Sequence, residues 1–109
     1  MNFGDLFAKA QALHSQVSAM KETMQSSSFS GADEDGAVQI TMNGKFEPLG
    51  VTCDPELFGE EEAQILEKLI FAALADVTSR VRSAEAQEKQ NLGQSLGLPP
   101  GMMGNFPGF

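Results

Sequence analysis

The strongest constraint on the fold is an apolar stripe in the N-terminal part of the chain. Between Phe3 and Gln25, apolar residues recur at alternating intervals of three and four positions, and no proline interrupts them: Phe3, Leu6, Ala10, Leu13, Val17, Met20 and Met24. This heptad-like spacing is typical of a helix that packs along its length against another helix. The predicted helix, residues 3–25, is about 34 Å long at 1.5 Å per residue.

A second apolar stripe, in the C-terminal half, predicts a longer helix over residues 60–91. Its main apolar positions follow the helical period: Leu66, Leu69, Ile70, Ala73, Val77, Val81 and Ala84. Glu60–Glu62 stand at the predicted start, where the positive end of the helix dipole favours anions. Neither glycine nor proline occurs again before Gly93, so this helix would be about 48 Å long.

Between the two helices the apolar period changes to two, which predicts β-structure. One strand is indicated by alternating apolar residues: Val38, Ile40 and Met42. Asn43-Gly44 then signals a hairpin, from which the chain returns through residues 45–47. Pro48 cannot donate to a ladder, so it marks an edge, a bulge or a break. Beyond it the alternation resumes: Leu49, Val51 and Cys53. The prediction is a small three-stranded antiparallel sheet within residues 37–54.

Two stretches have the composition of irregular chain. Residues 26–36 are rich in Ser, Gly and Asp and are predicted to form a mobile linker, with Phe29 as its only anchor. Residues 93–109 combine Pro and Gly with Met and Phe and predict a flexible tail. The alternative for this tail is that it folds back over an apolar groove. The single domain is therefore predicted to span residues 1–92.

Composition narrows the possible function classes. The chain has 109 residues, one cysteine and a formal net charge of -8. It cannot form an internal disulfide, contains no apolar stretch long enough to span a membrane, and begins without the features of a secretory signal. We therefore expect a cytoplasmic single-domain protein with no membrane partner. The negative charge repels phosphate at long range, which works against a nucleic-acid partner.

The sequence gives little support to catalysis or metal binding. His14 has no orienting carboxylate or nucleophile nearby, so a surface or interface position is favoured over a catalytic one. Cys53 adjoins Asp54 and is expected to be a small buried hydrophobic residue rather than a reactive thiol. Counted from Asp33, an EF-hand loop would need an oxygen ligand at its fifth position, where Ala37 stands. We expect no enzyme activity, cofactor, metal site or small-molecule substrate.

The lengths of the elements predict self-association. A sheet of short strands is about 17–20 Å long, so it cannot cover two long helical stripes. Burying the remaining apolar surface is favourable by roughly 25 cal/mol per Å², and a second copy of the chain is the simplest cover. The predicted dimer interface consists of apolar residues from both stripes: Leu6, Leu13, Val17, Met20, Leu66, Leu69, Ile70, Ala73 and Val77.

Several segments, in this order, resemble the YbaB/EbfC family of bacterial nucleoid-associated proteins: residues 38–44 (VQITMNG), 51–57 (VTCDPEL), 66–73 (LEKLIFAA) and 96–101 (LGLPPG). The segment Lys9–Leu13, with Gln16 and Met20, also resembles the first helix of that family. This resemblance covers nearly the whole chain. It implies an α+β fold that forms an intertwined homodimer with a shared sheet and tweezer-like helical arms. It also implies a nucleoid-associated protein that binds double-stranded DNA in chromosome organisation and gene regulation.

DNA contacts would have to come from basic side chains on the two helices, directed mainly at phosphate groups: Lys9, Lys21, Lys68, Arg80, Arg82 and Lys89. Acidic neighbours dilute this charge, so we expect weak, salt-sensitive binding. The alternative is a solvated surface, in which Arg80 pairs with Asp76 and Lys89 with Glu85. Two other functions fit the charge: an acidic dimeric adaptor for partner proteins, and a dimeric scaffold without DNA activity.

Overall fold

The computed structural model describes residues 3–95 and residue 97. In this part of the chain the elements follow in the order α1 (Phe3–Ser26), β1 (Ser28–Ala32), β2 (Val38–Asn43), β3 (Pro48–Cys53), two 3₁₀ turns (Pro55–Phe58 and Glu60–Glu62) and α2 (Ala63–Ser95). The predicted α+β fold, with long helices before and after a three-stranded antiparallel sheet, is confirmed. The molecule is elongated, with a longest dimension of 70 Å.

The strands lie side by side in the order β1-β2-β3, and both pairs are antiparallel. In the ladders Gly31 lies opposite Ile40, which in turn lies opposite Val51. The register shifts between Thr41 and Met42, so that Met42 faces Pro48. Pro48 is thus the first residue of an outer strand beside a bulge, a position where its missing N–H is tolerated.

Strand β1 corrects the predicted linker. The sequence predicts mobile chain over residues 26–36, but Ser28–Ala32 pair with β2 along their whole length. The side chain of Phe29 packs against the core, and a Cβ atom on Gly31 would meet the backbone of Val77 in α2. The small residues in this segment suggest a linker, but small side chains are required here because α2 packs closely on the strand. Pairing with β2 outweighs their weak β-propensity.

The connection between β2 and β3 is a turn, whereas the sequence suggests a return strand through residues 45–47. Asn43 builds this turn with its side chain: Oδ1 accepts the backbone N–H groups of Lys45 at 2.9 Å and of Glu47 at 3.1 Å. Nδ2 of Asn43 donates to Oε1 of Glu47 at 2.8 Å. Phe46 has a φ of 62°, a left-handed conformation that is uncommon for a bulky residue. The β2–β3 turn is therefore longer than the tight two-residue hairpin that Asn43-Gly44 predicts.

The β1–β2 connection is closed by Asp33, whose side chain is buried. Its Oδ1 accepts the N–H of Val38 at 2.7 Å, and its Oδ2 accepts the N–H of Asp35 at 3.0 Å. The bond from Val38 is the main reason why the pKa of Asp33 lies below its ordinary value. The acidic residues of this connection therefore stabilise a turn. In the described ranges, no group of three or more His, Cys, Asp or Glu side chains is arranged so that it could hold a metal ion.

The core forms where α2 crosses the sheet above β1 and β2. It is built from two sets of buried residues, one on β2 and one on α2: Val38, Ile40, Met42, Ala73, Val77 and Val81. At Gly31 the helix comes so close that an added Cβ would lie 2.6 Å from Cα of Val77. Glycine at this position allows the backbones of helix and strand to touch.

Among the described residues, helix α1 packs on the sheet and α2 mainly through its C-terminal half. Met20 and Met24 are buried, and the backbone oxygen of Met24 accepts the N–H of Gly44 at 2.7 Å. Toward the other end, the apolar side chains of Phe3 and Phe7 are 90% and 66% exposed. The first half of the predicted stripe is therefore uncovered by the described residues.

Helix α2 continues past the predicted end at residue 91 to Ser95. Leu92 is buried and, together with Gln16 and Met20, lines a groove between the helices. The predicted tail, residues 93–109, thus begins inside the helix, and its positions 96 and 98–109 lie outside the described residues. None of the helices in the described ranges is both long and apolar enough to cross a membrane.

Candidate nucleic-acid interface

The predicted DNA-contacting residues are distributed over both helices. Lys9 is exposed near the start of α1, and Lys68 is exposed on the first half of α2. Lys68 and Lys89 are 21 residues apart in α2, or about 31 Å along the helix axis. One phosphate group cannot contact both residues. Any DNA interface that uses all six residues would therefore have to extend along the length of the molecule.

Two of these residues form ion pairs within α2. Nε of Arg80 lies 3.1 Å from Oδ2 of Asp76, and Nζ of Lys89 lies 3.1 Å from Oε1 of Glu85. These are the two ion pairs predicted by the alternative in which the basic residues belong to a solvated surface. Such partly exposed pairs at (i, i+4) spacing contribute little to stability and compete only weakly with another anion. They do not remove Arg80 and Lys89 from a phosphate-binding surface.

Asp76 also connects α2 to the edge of the sheet. Its Oδ2 accepts the backbone N–H of Ala32 in β1 at 3.0 Å. This bond, and next the hydrogen bond from Arg80, hold the pKa of the Asp76 carboxyl below its ordinary value. Asp76 therefore has a structural role, and its carboxylate already accepts hydrogen bonds from Ala32 and Arg80. Arg82, in contrast, is exposed and forms no ion pair among the described residues.

The structure brings three basic side chains together around one cleft of about 350 Å³. We call it the three-lysine cleft. It lies between the end of α1, the β2–β3 turn and the second half of α2, and it is lined by Met20, Lys21, Met24, Gly44, Lys45, Phe46, Glu85 and Lys89. Lys21 and Lys89 are predicted DNA-contacting residues, whereas Lys45 is not.

Lys45 escapes prediction because it lies on neither helix and is distant in sequence from both other lysines. The signal that could place it is Asn43-Gly44, which puts Lys45 in the turn after β2. Gly44 lies against α1, since a Cβ on it would be 2.7 Å from Cβ of Met24. The turn, and Lys45 with it, is thereby fixed beside the end of α1.

The predicted dimer-interface residues fall into two groups. Ala73 and Val77 have no exposed surface, and Met20 is only 9% exposed. Ala73 and Val77 pack in the core of their own chain, so in this single chain they present no surface to a partner. The other seven keep at least some exposed surface, and they remain predicted interface residues: Leu6, Leu13, Val17, Met20, Leu66, Leu69 and Ile70.

A second apolar surface, which the helical stripes do not reveal, lies on the β3 side of the molecule. Val51 and Ile40 are opposite in the ladder and so share one face of the sheet, yet Val51 is 62% exposed and Ile40 only 8%. The difference arises because α2 covers β1 and β2 and leaves β3 open.

Exposed side chains of α2 extend this surface. At 3.6 residues per turn, Leu74 lies on the flank of α2 opposite Asp76, which contacts β1. That flank therefore faces the β3 side. Six apolar residues on β3, on the 3₁₀ turn that follows it and on this part of α2 are exposed, and we call them together the β3-side apolar surface: Leu49, Val51, Phe58, Ile70, Phe71 and Leu74.

The two residues considered for chemistry do not line the cleft. His14 is exposed on α1, in a shallow depression formed by neighbouring residues of the same helix. Cys53 is half-buried at the end of β3 and packs against the core. Among the described residues, neither has the partners that acid–base or thiolate chemistry requires.

Comparison with known proteins gives concordant results. The model of the YbaB/EbfC DNA-binding family matches residues 1–96. A nucleoid-associated protein of Rhodopseudomonas palustris (strain HaA2) is 36% identical over 101 residues, which cover 93% of this chain and 95% of the relative. The nucleoid-associated protein amb4104 of Paramagnetospirillum magneticum is 36% identical over 100 residues, with coverage of 92% and 94%.

A solved structure shares the fold. The uncharacterized protein HP0035 of Helicobacter pylori matches with a TM-score of 0.74 at 20% identity, over 84% of this chain and 97% of the other. At this identity the likeness concerns the fold alone. It supports the arrangement of helix, sheet and helix described above.

Proposed function

Since the chain belongs to the YbaB/EbfC DNA-binding family, we propose that it binds duplex DNA as a homodimer, mainly through the phosphate backbone. The observation that carries this proposal is the family match over residues 1–96. That range contains both helices, the sheet and every basic residue of the chain. The coarser conclusion, a nucleoid-associated DNA-binding protein, follows from the family and from its bacterial relatives.

Backbone contact is supported by the type and position of the basic residues. The exposed ones lie on helix surfaces and in a turn, where they can approach phosphate without entering a groove. Phosphate contacts position a protein on DNA and carry little sequence information. Binding of this kind suits a role in chromosome organisation, with gene regulation as a consequence of where the DNA is covered.

The homodimer is supported by the β3-side apolar surface. Phe side chains alone present roughly 150–250 Å² each, and with the smaller exposed fractions of the four aliphatic residues we take the combined area to be on the order of 600 Å². A two-fold contact through this surface would bury about 1,200 Å² in total, the lower limit for a stable specific interface. A patch of this size on a monomer is typical of an interaction site.

A duplex-binding titration at increasing salt tests the DNA contact. We expect complexes at low ionic strength and a linear fall of log affinity with log salt, because each neutralised phosphate releases counterions. An acidic adaptor for partner proteins would show no complex at any salt concentration. That result would remove DNA binding and leave the adaptor as the better description.

The dimer is tested by Phe71→Gln combined with Val51→Gln, followed by sedimentation velocity. Both side chains are largely exposed in the single chain, so the fold should survive and only the association should weaken. Ile65→Gln is the control, since Ile65 is also exposed but lies on the flank of α2 that carries Asp76, away from the β3-side apolar surface. Equal dimer stability in the two variants would exclude this surface as the interface.

A further inference from the structure

The three-lysine cleft concentrates positive charge in a chain that is acidic overall. The chain contains seven Lys and Arg residues, and Lys21, Lys45 and Lys89 all line this one cleft. Glu85 is the acidic residue among its lining residues, so these residues carry a net charge of +2 (three positive, one negative). The formal net charge of the whole chain is -8. The residues that line the cleft therefore carry a net charge opposite in sign to that of the whole chain.

Three separate elements bring the lysines together, and contacts in the structure hold those elements in place. The N–H of Gly44 donates to the backbone oxygen of Met24 at 2.7 Å, which joins the β2–β3 turn to α1. The N–H of Lys45 donates to Oδ1 of Asn43 at 2.9 Å, which fixes the backbone at Lys45. Only side-chain ordering is then needed for Lys45 to engage a ligand, and this lowers the entropic cost of binding.

The remaining lining residues suit a sugar–phosphate backbone. Met20 and Met24 are buried at the cleft, and Phe46 is 37% exposed beside Lys45. A phosphodiester presents an anion flanked by sugar carbons, so lysines and apolar side chains can contact it together. The cleft opens to solvent, because Lys21 and Lys45 are themselves exposed. An extended backbone can therefore lie across it.

Glu85 sets the strength of this site. Its Oε1 lies 3.1 Å from Nζ of Lys89, so the carboxylate already partly neutralises that lysine. A phosphate in the cleft would share Lys89 with Glu85 and would be repelled by the carboxylate. Lys21 and Lys45 form no ion pair among the described residues, and their charge is available to an incoming anion.

We propose that the three-lysine cleft is a phosphate-contact site for duplex DNA, with Lys45 as a binding residue and Glu85 as the group that weakens it. The proposal rests on the proposed function and adds a specific place of contact to it. It assigns DNA contact to the β2–β3 turn and not to the helices alone. In a homodimer the cleft occurs twice, so one duplex could be held at two places.

Lys45→Gln tests the site, with Gln39→Glu as the charge-matched control. Both variants lower the net charge by one, but Gln39 is exposed on β2 on the sheet face opposite the core residues Val38 and Ile40. For Lys45→Gln we expect affinity for a 30-base-pair duplex to fall about two- to fivefold, the range of an exposed charge pair. The slope of log affinity against log salt should become shallower by about 0.9 for each cleft that is engaged.

Gln39→Glu should leave the slope unchanged, and Lys45→Arg should restore the wild-type slope. A Lys45→Gln slope equal to that of Gln39→Glu, while the wild-type protein still binds, would overturn the cleft and leave the proposed function intact. Absence of binding by the wild-type protein at low salt would overturn both. Thermal unfolding of each variant checks that the fold is retained.

Glu85→Gln gives a second, opposite test. Removal of its carboxylate should raise the affinity for the same duplex by about two- to fivefold and should steepen the slope. Glu34→Gln is the matched control, because Glu34 is exposed in the β1–β2 turn and the change in charge is the same. Equal affinities in these two variants would contradict the role of Glu85.

Discussion

The contact between β1 and α2 at Gly31 predicts a large loss of stability in Gly31→Ala. The added Cβ would lie 2.6 Å from Cα and 2.7 Å from Cβ of Val77, distances that require the helix or the strand to move. Overpacking of a core costs about 1–3 kcal/mol, and we expect the upper end because the opposing atoms include backbone. The reduced entropy of the unfolded chain offsets only about 0.4–1 kcal/mol of this.

Thermal unfolding followed by circular dichroism measures the effect. A net loss of about 2–3 kcal/mol in a domain of this size corresponds to a fall in Tm of about 10–20 °C. The comparison requires equal protein concentrations, because self-association makes Tm depend on concentration.

Gly50→Ala is the matched control for this experiment. Gly50 lies in β3, and an added Cβ would meet nothing within 4 Å. Its backbone, like that of Gly31, lies outside the positive-φ region, so the two substitutions differ in contact and not in conformational strain. We expect the stability of Gly50→Ala to stay within about 1 kcal/mol of wild type. Equal Tm values for the two variants would refute the close packing of α2 on β1.

Three further predictions follow from particular contacts. Gly44→Ala should lower the stability by about 1–3 kcal/mol in urea denaturation, because its Cβ would press on the backbone of α1; unchanged stability would contradict that contact. Asp76→Ala should lose the bond to Ala32. The pKa of Asp76 is lowered in the folded state, so the stability difference between this variant and the wild type should be constant above about pH 4. It should vanish as the pH falls through the lowered pKa. A stability difference that persists in acid would contradict this. In a gel-shift assay at low salt, Arg82→Ala should weaken the complex more than Arg80→Ala, because Arg80 already pairs with Asp76; the reverse order would exclude Arg82 from the interface.

The helices and β2 can be predicted from the sequence because their apolar periods are long and regular. The predicted range of the first helix, residues 3–25, differs from α1 by a single residue. The alternation in β2 matches its burial, since Val38, Ile40 and Met42 are the buried residues of that strand's apolar face. Each of these patterns reports which side chains face the core, and no knowledge of the neighbouring elements is required.

Strand β1 cannot be predicted in the same way, because its sequence is suited to its neighbours rather than to a strand as such. Gly31 and Ser30 have low β-propensity, and their places are set by α2 on one face and by Thr41 on the other. The end of α2 is similar: Leu92 is buried only because α1 passes beside it. Both are consequences of tertiary packing.

The candidate site, too, can be predicted from the sequence only in part. Lys21 and Lys89 can be chosen from the sequence as basic residues on helix surfaces. Lys45 becomes their neighbour only through the β2–β3 turn, whose geometry depends on the Asn43 side chain and on a positive φ at Phe46. The burial of Ala73 and Val77 in the chain's own core has a related cause, because a helical stripe does not reveal which of its residues the sheet covers.

Sedimentation velocity of a fluorescent 30-base-pair duplex with the wild-type protein at low ionic strength is the most direct test of DNA binding by a homodimer. We predict that the complex gains mass in steps of twice the chain mass of 11.6 kDa, and that it dissociates as salt is raised. Steps of a single chain mass would contradict the dimer. A duplex whose sedimentation does not change at any protein concentration would contradict DNA binding itself.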